Sequence, residues 1–234
     1  MTVLAFDTAT QATVAAVRRP DGAHFEARHD PAPGERPGHA TRLLAVVEEA
    51  LDRAGLGLGD VARIGVGTGP GSFTGLRIGV ASARGLAQAL EVPLVAVSTL
   101  RALAGEAGTA SGSSHDATRP VLAVVDARRG EAFAAAYRGG EELLAPAAMT
   151  PAVLARAVAG LPASPLAVGE GAVRFRAELQ ATGAAIPADD SPLHRVAGRH
   201  LGDLAAAGDA VGLEAVLPFY LRPPDAQRRR RPRP

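Results

Sequence analysis

The chain has 234 residues, of which 47% are hydrophobic, a formal net charge of +1 and no cysteine. This length and composition are typical of a folded protein with one large domain or two ordinary ones. The lack of cysteine excludes disulfides, thiolate metal sites and a cysteine nucleophile, and it fits a reducing compartment. Because the longest apolar runs are strand-sized and a strand pattern follows Met1 directly, we expect a cytoplasmic protein without a membrane span.

The positive charge is concentrated at the C-terminus. Five arginines stand among the last seven residues, and the rest of the chain carries about −4. We predict that residues 223–234 form a tail. This tail is either solvated or makes an electrostatic contact with nucleic acid, because arginine neutralises phosphate without reading sequence.

The first half of the chain alternates strands and helices. Strands are predicted in "TVLAF", "TVAAVRR" and "AHFEARH", followed by a helix from about His39 to Ala54 with apolar residues three and four apart. A strand in "ARIGVGT", a glycine-rich stretch, a helix to about Glu91, a strand in "PLVAVS" and a further helix complete this half. The order β-β-β-α-β-α-β-α predicts an α/β fold.

The second half begins as a repeat of the first. The stretch "GTASGSSHDATRP" has the composition of a flexible connection, and after it "VLAVVDARRGEAFAAAY" repeats the strand, Asp, turn and strand of "VLAFDTATQATVAAV". Helices are then predicted in "TPAVLARAVAG", "EGAVRFRAELQAT" and "PLHRVAGRHLGDLAAAG", a strand in "PLAVG", and an edge segment in "EAVLPFYLR". We predict an N-terminal lobe (1–107), a connection (108–120), a C-terminal lobe (121–222) and the tail.

The glycine-rich stretch "GTGPGSFTGLRIG" (67–79) lies between a predicted strand and a predicted helix, where a helix N-terminus could hold an anion. A Walker loop requires a lysine, and this chain has none; the glycines also fail the G-x-G-x-x-G spacing. Pro70 stands where a G-x-S-x-G elbow requires its first glycine. We therefore interpret Ser72 as the N-cap of the helix.

The helix that follows has two faces with small or apolar residues. Its apolar stripe is predicted to face the core, while Gly75, Gly79, Ser82 and Leu86 lie together on a second face. An interior glycine costs about 1 kcal/mol of helix propensity relative to alanine, so two of them suggest close packing. We predict that another helix contacts this face, either within the chain or on a partner.

Asp7 and Asp126 occupy matching turns in the two halves. They are weak candidates for a vestigial nucleotide site with Mg²⁺, since neither "DTAT" nor "DARRG" has glycines at the turn itself to admit phosphates. The alternative is turn chemistry, in which each carboxylate accepts a hydrogen bond from its own backbone. The six histidines show no H-x-x-x-H or H-E-x-x-H pair, so no metal site is predicted.

At "GPGSFTGLRIG", supported by "LAFDTAT", "VSTL", "DARRGE" and "PFYLR", the sequence resembles the bacterial TsaB (YeaZ) family. The similarity is nearly continuous from Val3 to about Leu103 and resumes at 121–137. It implies an actin/hexokinase/Hsp70-like (ASKHA) fold with two related ribonuclease-H-like lobes, in agreement with the repeat.

The resemblance implies a non-catalytic scaffold without a cofactor. Members of this family pair with a TsaD-type paralogue, joined by a TsaE-type ATPase, in forming threonylcarbamoyladenosine at position 37 of tRNAs that read codons beginning with A. The paralogue binds metal through H-x-x-x-H, but Leu43 follows His39 by four residues here. The resemblance also implies that the first two helices pair with the paralogue, which gives the face of Gly75, Gly79, Ser82 and Leu86 a partner.

Two enzymatic alternatives and one assembly question remain open from the sequence. An ASKHA phosphotransferase would use Asp7 and Asp126, and a peptidase would need a catalytic arrangement that this sequence does not provide. Exposed small and apolar helix surface leaves open a homodimer of the isolated chain. Contact with tRNA is expected either indirectly, through the paralogue, or through the arginine-rich tail.

Overall fold

The structure, a computed structural model, describes residues 1–32, 34–109 and 119–222. The strands are β1 (Val3–Asp7), β2 (Thr13–Arg18), β3 (His24–His29), β4 (Arg63–Gly69), β5 (Leu94–Ser98), β6 (Val121–Asp126), β7 (Ala132–Arg138), β8 (Glu141–Met149) and β9 (Leu166–Val168). The α-helices are α1 (His39–Ala54), α2 (Phe73–Leu90), α3 (Thr99–Thr109), α4 (Pro151–Ala159), α5 (Glu170–Arg174), α6 (Arg176–Gln180) and α7 (Gly198–Ala207). Short 3₁₀ turns occupy Leu58–Asp60, Pro192–His194 and Leu213–Ala215.

The strands form two sheets with the same plan. The first has the order β3-β2-β1-β4-β5 and the second the order β8-β7-β6-β9. In each, the first strand is antiparallel to the next strand in sequence and parallel to the strand on its other side. Asp7 and Asp126 each end the first strand of their sheet, paired with Val14 and Ala132. The predicted duplicated ASKHA-type α/β fold is confirmed.

The two sheets enclose a layer of helices. Helix α7 packs on β1, β2 and β4 of the first sheet, α3 packs on β6 and β7 of the second, and the two helices contact each other. Their buried apolar residues join both sheets in one core, which includes Ala5, Leu100, Ala123 and Leu201. On the outer faces, α1 and α2 cover the first sheet, and α4 and α5 cover the second. This arrangement leaves α1 and α2 together on one outer surface.

Chain connectivity and packing disagree at the C-terminal lobe. Helix α7 and the segment after it belong to the predicted lobe 121–222, yet α7 packs on the first sheet and Val211 pairs with Leu94 of β5. The apolar face of α7, with Leu201 and Ala205 fully buried, covers the inner side of that sheet. Residues 110–118 of the predicted connection and the tail 223–234 lie outside the described residues.

Several predicted elements differ from the structure. The stretch predicted as one helix in "EGAVRFRAELQAT" is divided into α5 and α6, because Phe175 leaves the helical region at φ −103° and its ring is buried. The long helix predicted from Pro192 begins only at Gly198, since Arg195 is extended. Strand β8 was not predicted, and "EAVLPFYLR" forms a 3₁₀ turn and an irregular segment instead of an edge strand. Within the described residues, no helix combines the length and apolarity needed to cross a membrane.

Candidate functional site

The carboxylate of Asp7 is buried and fully engaged within the protein. Its Oδ1 accepts a hydrogen bond from the backbone N–H of Ala9 at 2.6 Å, and its Oδ2 accepts one from the hydroxyl of Thr99 at 2.5 Å. The Thr99 hydroxyl in turn accepts from the N–H of Gly69 at 3.2 Å. Burial raises the pKa of Asp7 above its usual value, although the hydrogen bond from Thr99 opposes this. The predicted turn chemistry is confirmed for Asp7, and little of the side chain can reach a ligand.

Asp126 has the same turn geometry but lies in a cleft. Its Oδ1 accepts from the N–H of Arg128 at 2.8 Å, two residues along, and its Oδ2 is 2.7 Å from the guanidinium of Arg174. The guanidinium of Arg128 is 3.6 Å from the same oxygen. Turn chemistry is therefore confirmed here too, and the structure does not bring Asp7 and Asp126 together as a pair facing one ligand.

Glu170 begins α5 beside Asp126 and was not selected from the sequence. Burial, with a smaller contribution from the negative charge of Asp126, raises the pKa of Glu170 from 4.5 to about 7. Glu170 is half-buried by solvent accessibility, and a carboxyl with such a pKa occurs both in functional clefts and in structural ion-pair networks. Only the fold could reveal it, since Glu170 and Asp126 are far apart in sequence.

Replacing Glu170 by glutamine is expected to raise the free energy of unfolding by about 2 kcal/mol at pH 8. At pH 4.5 the same replacement should change it little. The native carboxyl titrates at about 7, whereas the unfolded one titrates near 4.5. Between pH 4.5 and 7 the Glu170 carboxyl is protonated in the native state but mostly ionised in the unfolded state. The free energy of unfolding of the natural chain therefore falls as the pH rises through this range. Urea denaturation across this range, with the exposed Glu178→Gln as control, measures the effect; a pH-independent difference contradicts it.

A cleft of about 500 Å³ opens between the two lobes. The two equivalent turns contribute Thr10 and Gln11 on one side and residues 126–129 on the other. The start of α2 and the C-terminal segment 219–222 form the remaining walls, and Glu170 lies at the cleft as well. The cleft therefore combines carboxylates, arginines and aromatic rings from elements that are distant in sequence.

The glycines at the start of α2 are explained by packing within the chain. Thr8, in the turn after β1, donates a hydrogen bond from its hydroxyl to the carbonyl of Gly75 at 2.8 Å. A Cβ on Gly75 would overlap the carbonyl oxygen of Thr8, and one on Gly79 would lie 2.5 Å from its hydroxyl oxygen. The close packing predicted at Gly75 and Gly79 comes from this turn of the same chain, and at Gly75 also from His39 of α1, 3.3 Å from the position of a Cβ. Both glycines are buried, so the alternative in which a partner helix contacts them is wrong. Ser72 caps the helix as predicted, accepting from the N–H of Gly75 at 3.3 Å.

A different glycine marks the outer surface of α2. Gly85 is exposed, and a Cβ built on it would meet nothing within 4 Å. Ala81 and Ala89 lie one turn before and after it and are also exposed, while Ile78 is half-buried on the same side. Ser82 and Leu86, which were predicted as partner-binding, are half-buried at the border of this face. The sequence analysis missed Gly85, although a helical glycine on the side away from the apolar stripe was a signal for it.

The C-terminal segment packs beside the start of α2. The N–H of Phe219 donates to the carbonyl of Thr68 at 2.8 Å, and the rings of Tyr220 and Phe73 stack with centroids 5.1 Å apart. The guanidinium of Arg77 lies 4.0 Å from the centroid of Phe73 and donates to the Tyr220 hydroxyl at 3.2 Å. This aromatic group, which the sequence analysis did not predict, lies at the mouth of the cleft.

Comparisons with known proteins agree with this architecture. Residues 35–185 match the family described as "TsaD: tRNA N6-adenosine threonylcarbamoyltransferase". The solved structure of YeaZ from Pseudomonas aeruginosa is similar at a TM-score of 0.73 and 32% identity, over 94% of this chain and 99% of that one. The chain belongs to the TsaB (YeaZ) branch of this family.

Curated relatives of this TsaB-family chain support the assignment. The tRNA threonylcarbamoyladenosine biosynthesis protein TsaB of Escherichia coli is 44% identical over 60% of the chain, and the match spans 57% of that protein's length. An uncharacterised protein of Mycobacterium tuberculosis is 36% identical over 97% of the chain and 94% of its own length. The sequence-based assignment to the TsaB family is confirmed.

The histidine that begins α1 has a structural environment in this TsaB-family chain. His39 is buried, and its Nδ1 is 2.8 Å from the hydroxyl of Thr13. Burial lowers the pKa of His39, which favours the neutral ring. Leu43, one turn later, is in the apolar core beneath α1. Among the described residues, no group of three or more histidine or acidic side chains is placed to hold a metal ion.

Proposed function

We propose that this chain supports the formation of threonylcarbamoyladenosine in tRNA as a non-catalytic partner of a TsaD-type transferase. Support comes from its membership of the TsaB branch, whose E. coli relative is named for this pathway. The proposed product is the modified adenosine 37 of tRNAs that read codons beginning with A, as the resemblance implies. In this proposal the transferase performs the chemistry, and the present chain holds it in an active assembly.

The exposed face of α2 carries this proposal. An interior helix glycine costs about 1 kcal/mol relative to alanine, and at Gly85 no packing within the chain accounts for that cost. Gly85, Ala81 and Ala89 present little side-chain volume, so the backbone of a second helix could approach closely. The neighbouring helix α1 adds Leu44, whose relative exposure is 62%. Together these residues define the pairing face, consisting of Leu44, Ile78, Ala81, Gly85 and Ala89.

The environment of Asp7 supports a non-catalytic role. A phosphotransferase of this fold would use Asp7 and Asp126 in one ligand site, whereas both oxygens of Asp7 accept hydrogen bonds from Ala9 and Thr99. A Cβ on Gly67 would overlap the Asp7 carboxylate, so the strand behind it is also tightly packed. The phosphotransferase alternative is therefore disfavoured, and Mg-ATP titration with a hydrolysis assay of the isolated chain tests it directly.

Replacing Gly85 by leucine is expected to weaken pairing with the transferase by at least about tenfold, equivalent to 1.4 kcal/mol. The new side chain would hold the partner helix away while meeting no atom of its own chain within 4 Å of its Cβ. Co-purification and titration with the host's TsaD-type paralogue measure pairing, and reconstituted tRNA modification measures function. We expect modification to fall with pairing and to recover at high protein concentration.

Two variants serve as controls for this experiment. Gly85→Ala adds only a methyl group and is expected to retain most pairing, and Ala152→Leu adds the same bulk on the exposed side of α4 in the other lobe. Modification that proceeds equally well without the chain, or normal pairing by Gly85→Leu, contradicts the proposal.

Two further features of the assembly remain predictions. A TsaE-type ATPase is expected to join the pair, as the resemblance implies. In the absence of the transferase, the pairing face would be available to a second copy of this chain. Sedimentation over a range of concentrations, with Gly85→Leu as the comparison, tests whether such a homodimer forms through that face.

A further inference from the structure

The mouth of the interlobe cleft presents aromatic rings to solvent. Phe219 and Tyr220 are 46% and 39% exposed, and Phe73, stacked on Tyr220, also lines the cleft. Arg77 lies across Phe73 and holds the Tyr220 hydroxyl, so the group is fixed by contacts on both sides. Rigid exposed rings beside arginine are the surfaces on which unpaired nucleic acid bases stack.

The opposite wall of the cleft presents two adjacent arginines. Arg128 and Arg129 follow one another in the β6–β7 turn, both exposed and both lining the cleft. Their φ angles, 61° and 55°, lie in the left-handed region that side chains other than glycine, asparagine and aspartate rarely adopt. The hydrogen bond from the Arg128 N–H to Asp126 holds this turn in place.

The acidic groups of the cleft leave this wall positive. Asp126 is paired with Arg174 at 2.7 Å, and the guanidinium of Arg128 is 3.6 Å from the same carboxylate oxygen. The cleft is lined by three arginines and two acidic residues, and burial raises the pKa of Glu170 to about 7, which reduces the negative charge near neutral pH. Arg222 also lines the cleft, held by Glu131 at 2.8 Å.

From these contacts we propose that the cleft mouth binds single-stranded RNA, with a base stacked on the rings of Phe219 and Tyr220 and phosphates bound by Arg128 and Arg129. The choice of RNA over another polyanion rests on the proposed function in tRNA modification. The single-stranded form follows from the aromatic rings, because bases in a duplex are already stacked on one another.

The test uses the full chain and a fluorescein-labelled single-stranded RNA of 12 nucleotides, with a duplex RNA of equal length as comparison. Anisotropy titrations from 50 to 300 mM salt give the dissociation constant and its salt dependence. We expect tighter binding of the single strand, and ultraviolet cross-links that map to Phe219 or Tyr220. Titration with a free mononucleotide from micromolar to millimolar concentration tests whether an isolated nucleotide competes. Competition in the micromolar range assigns the site to small nucleotides and overturns the RNA proposal.

Two double variants separate the two walls. Arg128→Asn with Arg129→Asn keeps a residue type that tolerates left-handed φ, and it should reduce the slope of log K against log salt by about 1.4, or 0.7 for each lost phosphate contact. Phe219→Leu with Tyr220→Leu keeps apolar packing, and it should weaken binding at least about fivefold without changing that slope. Arg156→Asn with Arg195→Asn, two exposed arginines that do not line the cleft, is the charge-matched control.

Three further results would overturn the proposal. The first is equal affinity for the single strand and the duplex. The second is a salt dependence of binding that the control arginine pair reduces as much as the cleft arginine pair does. The third is binding that disappears when residues 223–234 are removed but is unchanged in both cleft variants. Pairing with the transferase through Gly85 is a separate measurement. If the unsubstituted chain pairs with the transferase but does not bind the single-stranded RNA, this inference alone is overturned. If it binds the RNA but has no effect on tRNA modification, the proposed function is overturned.

Discussion

Replacing Gly75 by alanine is expected to lower the free energy of unfolding by at least about 3 kcal/mol, at the upper end of the range for overpacking. The added Cβ would overlap the carbonyl oxygen of Thr8, a backbone atom that cannot rotate away, and His39 lies close on another side at 3.3 Å. Relief would require the turn after β1 to move, and with it the hydrogen bond from the Thr8 hydroxyl to the carbonyl of Gly75.

The same substitution at Gly85 provides the matched comparison. Both glycines lie in α2, so both gain helix propensity from alanine, worth up to about 1 kcal/mol. At Gly85 no atom within 4 Å opposes that gain, and we expect a small increase in stability. Urea denaturation followed by circular dichroism measures both variants. Equal midpoints for the two would show that the turn after β1 does not pack on α2 as described.

Replacing Thr99 by valine is expected to lower the free energy of unfolding by about 3 kcal/mol. The valine preserves the shape but removes the hydroxyl that donates to Asp7 at 2.5 Å and accepts from the N–H of Gly69 at 3.2 Å. A buried carboxylate would then lose one of its two hydrogen-bond donors, which costs more than the loss of a bond between neutral groups.

The pH dependence of this loss follows from the same hydrogen bond. The bond from Thr99 lowers the pKa of Asp7 against the larger effect of burial, so its removal raises that pKa further. The loss should therefore be greatest at high pH, where Asp7 must carry its charge, and should shrink as the pH falls through the native pKa of Asp7.

Thr68→Val is the control for Thr99→Val. Thr68 is also buried, and its hydroxyl donates to the carbonyl of Val97 at 3.2 Å, so we expect a loss of about 1 kcal/mol without pH dependence. In an Asp7→Asn background the effect of Thr99→Val should fall to a similar value. A Thr99→Val loss no larger than that of Thr68→Val would indicate that the Asp7 carboxyl is neutral throughout the pH range.

Local sequence patterns were sufficient for much of the fold. Helix α1 begins at His39 and ends at Ala54 as predicted, because glycines in the left-handed conformation at 38 and 55 flank a regular apolar stripe. The repeat around Asp7 and Asp126 predicted the two sheets correctly. In each turn the Asp carboxylate accepts a hydrogen bond from the backbone N–H two residues along. Such interactions depend on neighbouring residues only, and therefore they can be inferred from sequence.

The candidate site was less predictable. Gly75 and Gly79 were selected because glycine in a helix indicates close packing, but the sequence could not distinguish a partner helix from Thr8 of the same chain. Glu170 acquires its pKa from burial beside Asp126, and Phe219 and Tyr220 meet the start of α2 only through the return of the C-terminal segment. Each depends on contacts between residues that are far apart in the chain.

The sequence by itself determined the duplicated α/β fold and the membership of the TsaB family, because these follow from periodicity, spacing and short motifs. For Asp7 and Asp126 it offered turn chemistry as one of two roles, and the structure showed the turn hydrogen bonds. Only the tertiary structure decided which glycine of α2 is free for a partner, which carboxylate lies in the cleft, and where aromatic rings and arginines meet. The physical reason is burial: a side chain's accessibility and the pKa of its acid depend on what the rest of the fold packs around it.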